Sequence, residues 1–290
     1  MLLDDIVNYM KPQKNKFMKT ILVATDFSPE ANNAAIYASN FAADTGAKII
    51  LFHLYYVSIH ALNARVQSYS IDELKEDRTN KLSDAAKKLS EDFKIEVQPM
   101  LRMGDFHDEL QNAIDTTRAD IVVMGMLKDS IEQDLLGNTT TEALQRLKFP
   151  VLAVPLHANY KGLKTILFAC DITRGVHKAI LEKVKNIALR LNAAIEIFHV
   201  SNKINELEHE HKEAKVTGHF ADGLQGTNYY YKNVASNVII EAIQDEITQI
   251  NADLLIMVPH KYGFWDSLVH ISKTRKMASR SEIPLLSLPL

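Results

Sequence analysis

A chain of 290 residues with 47% hydrophobic and 24% charged residues carries enough apolar material for two domains of ordinary size. Its net charge of −3 is small, and neither half is basic enough to read as a nucleic-acid surface. No apolar run approaches the ~18 residues of a membrane span. The one cysteine, Cys170, excludes an intramolecular disulfide and fits a reducing, cytoplasmic setting.

Residues 1–17, with Asp4 and Asp5 near the start, lack the basic region and continuous apolar core of a secretion signal. They read as an N-terminal arm with a short helix over Leu2–Met10 closed by Pro12. Next comes Thr20-Ile-Leu-Val-Ala-Thr-Asp-Phe-Ser28, an apolar strand ending in an acidic residue, with Ser28-Pro29 as the start of a helix. The spacing of Ala31, Ala34, Ala35, Ala38, Phe41 and Ala42 predicts that helix, closed by Gly46. Lys48–Tyr55 reads as a second strand. Ser70 and Glu73 form a capping box that opens a long charged helix to about Phe93. A third strand is expected over Ile95–Leu101, then a helix after Gly104-Asp105 with Leu110, Ala113 and Ile114 inward. Asp120 leads into a fourth strand, Ile121–Met124; Gly137-Asn138-Thr139 opens a helix to Lys148; Val151–Val154 is the fifth strand.

The lead strand is then written again, as Thr165-Ile-Leu-Phe-Ala-Cys-Asp-Ile-Thr173, and Thr173 can cap a helix over Arg174–Leu191. Strand Ala194–His199 follows, then an acidic stretch, Asn202–Gly218, and a strand holding Tyr229–Tyr231. Val238, Ile239, Ala242, Ile243, Ile247 and Ile250 are spaced as one buried helix face. Strands Leu254–Val258 and Leu285–Leu288 close the chain. Two five-stranded, mainly parallel α/β sheets with helices on both faces are therefore expected. The domains read as 18–156 and 165–290, joined by a linker at 157–164. The fifth strands, each at the edge of its sheet, are expected to pair within the chain, with a homodimer as a further use of such edges.

Other chemistry is sparse. His209, His211 and His219 lie among glutamates, but His-x-His on a helix does not put both rings on one face, so a solvated helix is the expectation rather than a metal site. His53 and His199 recur at strand ends and read as framework residues bonded to backbone. Cys170 beside Asp171 reads as an inert buried thiol, because a neighbouring carboxylate opposes thiolate formation. No nucleophile elbow, Walker lysine loop or His-Glu-x-x-His is present, and no catalytic residue is assigned.

Taken together, Ala24-Thr-Asp-Phe-Ser28, Phe52-His53-Leu54, Gly104-Asp105, Asp120-Ile-Val-Val-Met-Gly125 and Phe149-Pro-Val-Leu-Ala-Val154 resemble a universal stress protein domain. Phe198-His199-Val200, Asp253-Leu-Leu-Ile-Met257 and Ile283-Pro-Leu-Leu-Ser287 extend the resemblance, as a tandem arrangement, over residues 18–290. The resemblance implies a Rossmann-like fold, a cytoplasmic stress-response role and, in some members, ATP binding. It implies adenine near Leu54, with ribose and phosphates running from Gly125 towards Gly137–Thr140. The ATP-binding residues implied are Ala24, Asp26, Leu54, Met124, Gly125, Lys128, Gly137, Asn138, Thr139 and Thr140, with magnesium accompanying the nucleotide. The family loop Gly-x2-Gly-x9-Gly-Ser/Thr is damaged here: Lys128 replaces the second glycine, and Asn138 stands where a hydroxyl is expected.

In the second half the loop reads as beginning at Pro259, with Tyr262 and Ser272 in place of the other glycines, and Trp265 and Phe264 beside it. No nucleotide is expected there. The reading is a non-enzymatic stress-response module with a degenerate adenine-nucleotide site in the first domain alone. The alternative is a slow magnesium-dependent ATPase or ATP-binding switch using the same cleft.

Overall fold

The computed structural model describes residues 18–55, 68–126, 140, 143, 147–172, 175–201, 220–236, 238–259 and 283–289. The first half runs β1 (Thr20–Ala24), α1 (Pro29–Thr45), β2 (Lys48–Tyr55), α2 (Ser68–Phe93), β3 (Val97–Met103), α3 (Phe106–Thr117), β4 (Ile121–Met126) and β5 (Val151–Pro155). The second runs β6 (Thr165–Ala169), α4 (Lys178–Leu191), β7 (Ala194–Ser201), β8 (Tyr229–Ala235), α5 (Ile239–Gln249), β9 (Leu254–Met257) and β10 (Leu285–Ser287). The strands form one ten-stranded sheet in the order β3-β2-β1-β4-β5-β10-β9-β6-β7-β8. From the centre of the sheet outward, each half has the same order, with the lead strand in the middle and the first crossover strand beside it. All pairings are parallel except β5 with β10, where Leu152 faces Leu286 in an antiparallel register.

Parallel strands need cover on both faces, and their sequences comply: β1 and β5 are buried throughout, and so are the central residues of β2, β4 and β7. One layer of the core holds Ile21, Val23, Ile49 and Leu51 with the alanine face of α1, continuing into Ile166, Phe168, Val184 and Ile195. The opposite layer holds Leu22, Phe52, Val122 and the inward side of α3, continuing into Leu167, Phe198 and Leu255. Residues 157–164 are not a free tether. Ala158 and Leu163 are buried, and the Tyr160 ring stands edge-on to Tyr37 and Phe41 of α1 at 5.3 and 5.8 Å between centroids.

Local chemistry sets most boundaries. The Ser28 hydroxyl accepts from Ala31 N, Pro29 occupies the first turn, and Gly46 closes α1 at φ 72°. The Asp105 carboxylate caps α3 from His107 N and Asp108 N. Asp120 and Asp253 have the same task in the two halves. Asp120 Oδ2 accepts from Lys19 N at 2.7 Å and Thr20 N at 3.0 Å; Asp253 Oδ2 accepts from Lys164 N at 2.8 Å and Thr165 N at 2.9 Å. Each thereby ties the entry to β4 or β9 to the first amides of the lead strand beside it.

Several boundaries differ from expectation. Helix α2 starts at Ser68, so Ser70 lies inside its first turn rather than at its cap. Strand β3 begins at Val97 instead of Ile95, because Lys94 leaves α2 in the left-handed region (φ 54°) and Ser90 Oγ binds the Ile95 carbonyl. Helix α4 begins at Lys178, capped by His177, so the connection after β6 spans residues 170–177 where its counterpart spans 25–28. The buried face of α5 is Ile240, Ile243 and Glu246, while Val238 is exposed. The N-terminal arm lies outside the described residues.

Asp120→Ala and Asp253→Ala each remove two charge-assisted bonds to strand-entry amides. Each is expected to cost about 1.5–3 kcal/mol, which urea denaturation of the full chain would measure. An effect under about 0.5 kcal/mol, as at ordinary surface positions, would show that the clamps are ornamental.

Candidate functional site

The order β2-β1-β4 sets three strand ends side by side at the carboxyl edge of the first half, where ligands bind in open α/β sheets. Ala24 and Met124 are buried at this edge, Leu54 and Gly125 are half-buried, and Asp26 is exposed. Of the residues expected to form a site, these five are therefore brought to one edge. Lys128, Gly137, Asn138 and Thr139 lie outside the described residues.

Gly125 has a definite reason to be glycine. A Cβ there would come within 2.5 Å of the Glu30 carbonyl carbon and 2.7 Å of Ala31 N. The first turn of α1 therefore rests directly on the end of β4, which brings the positive end of that helix to the strand edge. Thr140 is not the free hydroxyl that a phosphate would need: it is buried, and its Oγ1 donates to the Gly125 carbonyl at 3.0 Å. Asp26 is partly engaged as well, since its Oδ1 accepts from Ser28 N at 2.9 Å in a local turn. Its other oxygen faces no described partner, and the side chain stands at the surface.

The sequence did not point to Phe27. It adopts φ 66°, with its amide bonded to Thr25 Oγ1, and its ring tilts against His53 at 4.7 Å. Lys81 Nζ lies 4.2 Å over the same ring. His53 Nδ1 meets the Thr25 carbonyl at 2.7 Å, so that nitrogen carries the proton and the ring ties β2 to the turn after β1. Burial lowers the proton affinity of His53 below its ordinary value; the bond to Thr25 opposes this, Arg78 adds to it, Asp26 opposes it, and Lys81 adds to it last. Helix α2 thus places two cations beside the edge, in a stretch that reads in the sequence only as a long charged helix. His199 repeats the framework role, its Nδ1 at 3.2 Å from the Cys170 carbonyl. Cys170 is buried, and burial first and Asp171 second push its thiol well above the ordinary range.

Strand register corrects the comparison of the two halves. Ile21 pairs with Ile121 and Ile166 with Leu254, which makes Val258 the counterpart of Gly125. Pro259, expected there, is one residue further on. Val258 puts a side chain where the first half has none. The residues that would match Glu30 and Ala31 are Gly175 and Val176, and they are not helical. A bulky residue at the strand end and a missing first turn of the helix are two sides of one change. Tyr262, Phe264, Trp265 and Ser272 lie outside the described residues. Among the described residues, no group of three His, Cys, Asp or Glu could hold a metal ion, and no helix is long and apolar enough to cross a membrane. His209, His211 and His219 lie outside the described residues.

The universal stress protein family model matches residues 18–155, the span that contains this edge. That first half of the chain matches the universal stress protein family. The universal stress protein MJ0577 of Methanocaldococcus jannaschii is 27% identical over 153 residues, covering 47% of this chain and 94% of that protein. Universal stress protein G of Escherichia coli O157:H7 is 26% identical over 141 residues, covering 47% and 98%. A universal stress protein structure from Archaeoglobus fulgidus superposes with a TM-score of 0.70 at 20% identity, over 95% of this chain and 99% of that one. This last likeness carries the Rossmann-like fold across both halves of the chain.

Gly125→Ala is expected to push α1 off the end of β4, costing about 1–3 kcal/mol and lowering Tm by several degrees. Thermal denaturation followed by circular dichroism would check it. An unchanged Tm would mean that the helix turn yields freely.

Proposed function

We propose that this chain is a non-enzymatic stress-response module whose first half, residues 18–156, holds one adenine nucleotide and whose second half, residues 165–290, holds none. The observation that carries this reading is the contrast between Gly125 and Val258 at matching strand ends. A nucleotide needs a helix N-terminus and converging amides at the strand edge. The first half keeps the helix turn against the strand, and Arg78 and Lys81 stand beside it. The second half has a longer connection, a later helix start and a valine.

The described residues suit the adenosine end of the ligand. Leu54 and Ala24 supply apolar surface, and Asp26 supplies a carboxylate that can accept from ribose hydroxyls. Phosphate recognition falls to Lys128 and the Gly137–Thr139 stretch, with Thr140 buttressing Gly125 from behind. Asp129, Glu132 and Asp134 in the same loop repel a triphosphate unless magnesium accompanies it. The same damage argues for a ligand that is held rather than hydrolysed. A slow ATPase is the second reading, and steady phosphate release abolished by Asp26→Ala would favour it. The pairing of β5 with β10 supports a working unit in which both halves form one body in a cytoplasmic protein; a homodimer would then use other surfaces.

Titration calorimetry of the full chain with ATP and magnesium tests the site. The expected result is at most one nucleotide per chain. Asp26→Ala should weaken binding about tenfold or more, since one charge-assisted bond is worth about 1.5–3 kcal/mol. Asp171→Ala should leave binding unchanged. Two sites per chain, or greater sensitivity to Asp171→Ala, would contradict the proposal.

A further inference from the structure

The register that pairs the two halves exposes a second divergence, away from the ligand edge. Leu22 faces Ile50 and Leu167 faces Glu196; Phe52 faces Met100 and Phe198 faces Lys232. Counting back equally from Asp120 and Asp253, Ala113 of α3 corresponds to Glu246 of α5. An apolar triad in the first half, Ile50, Met100 and Ala113, is thus replaced by a charged triad, Glu196, Lys232 and Glu246, between α5 and the outer strands of the sheet. Ile50 and Ala113 are fully buried, and Glu246 keeps that burial at 3% exposure. Placing ionisable groups where apolar ones suffice is costly unless they neutralise one another.

The three groups are in contact. Lys232 Nζ binds Glu246 Oε2 at 2.5 Å and Gln249 Oε1 at 3.2 Å. One oxygen of each carboxyl, Glu196 Oε1 and Glu246 Oε1, is buried without a donor. One lysine cannot balance two carboxylates. A single proton between them makes the trio neutral and gives the stranded oxygens a bond.

We propose that Glu196 and Glu246 share one proton, and that its loss as the pH rises through neutrality loosens α5 from β7 and β8. Among the described residues, Glu196 stands in register with the phenol Tyr230 of β8 and the apolar Leu167 of β6, and the charged groups acting on it are Glu246 of α5 and Lys232 of β8. Burial, then the hydrogen bond and the charge of Glu246, push the Glu196 carboxyl up to about 7, with Lys232 opposing. A carboxyl whose proton affinity rises on folding stabilises the fold fully below its unfolded pKa of about 4.5, and that contribution is lost as the pH climbs through about 7. Lost with it is the neutrality of the trio, which then carries one uncompensated negative charge. The device sits on the outermost strand pair, so its opening need not disturb the centre of the sheet.

Glu196→Gln keeps the shape and supplies a permanent donor to Glu246. Thermal denaturation of the full chain and of Glu196→Gln between about pH 5 and pH 9 should show the variant gaining on the parent as pH rises, with the steepest change near neutrality. A difference in Tm that stays constant across that range would overturn the proposal. Infrared spectroscopy of the parent chain decides the question even if the variant folds poorly. A carboxylic-acid carbonyl band should persist at about pH 6, where ordinary carboxyls are ionised, and vanish by about pH 9. No such band at about pH 6 would equally overturn it.

Discussion

The close approach of α1 to the end of β4 is the contact on which the candidate site of the first half depends. It exists because Gly125 has no side chain, and it places a helix start, an aspartate and a half-buried leucine along one strand edge. Thr140 holds the same strand end through the Gly125 carbonyl. The second half has given that contact up. With Val258 at the strand end, the connection lengthens, the helix begins at Lys178, and His177 takes over as its cap. One position therefore separates the two copies of the fold at matching strand ends.

Beneath that divergence the scaffold is repeated in detail. Asp120 and Asp253 clamp the same two amides, and His53 and His199 bind the carbonyl that comes after the lead strand. These side chains serve backbone groups that any such sheet leaves exposed at its strand entries and exits. What varies is the chemistry laid on that frame: cations beside His53 in one half, the carboxyl pair of Glu196 and buried Glu246 in the other.

Much of the fold was legible in the sequence because parallel strands and amphipathic helices announce themselves by burial pattern. The repeated lead strand, the cap at Ser28, the stop at Gly46 and the inward face of α3 could all be read directly. Boundaries set by a single backbone conformation could not, and the left-handed Lys94 that delays β3 is the clearest case. The candidate site was legible as a set of strand-end residues, whereas their partners were not. Thr140 looked like a phosphate ligand, but its hydroxyl turns inward, a choice made by burial rather than by spacing. The counterpart of Gly125 was read one residue late, as Pro259 rather than Val258, because only strand register fixes which residue stands at that position. Glu246 was hidden for a related reason: helical spacing marked the apolar positions around it, and a carboxylate inside that face makes sense only beside Lys232 and Glu196.

Hydrogen–deuterium exchange of the full chain, with and without saturating ATP and magnesium, tests most directly whether equivalent edges of one fold have separate fates. Protection is expected at the turn between β1 and α1 and at the end of β4, with residues 170–177 and the end of β9 unchanged. Equal protection at both edges, or protection confined to the second, would contradict the account.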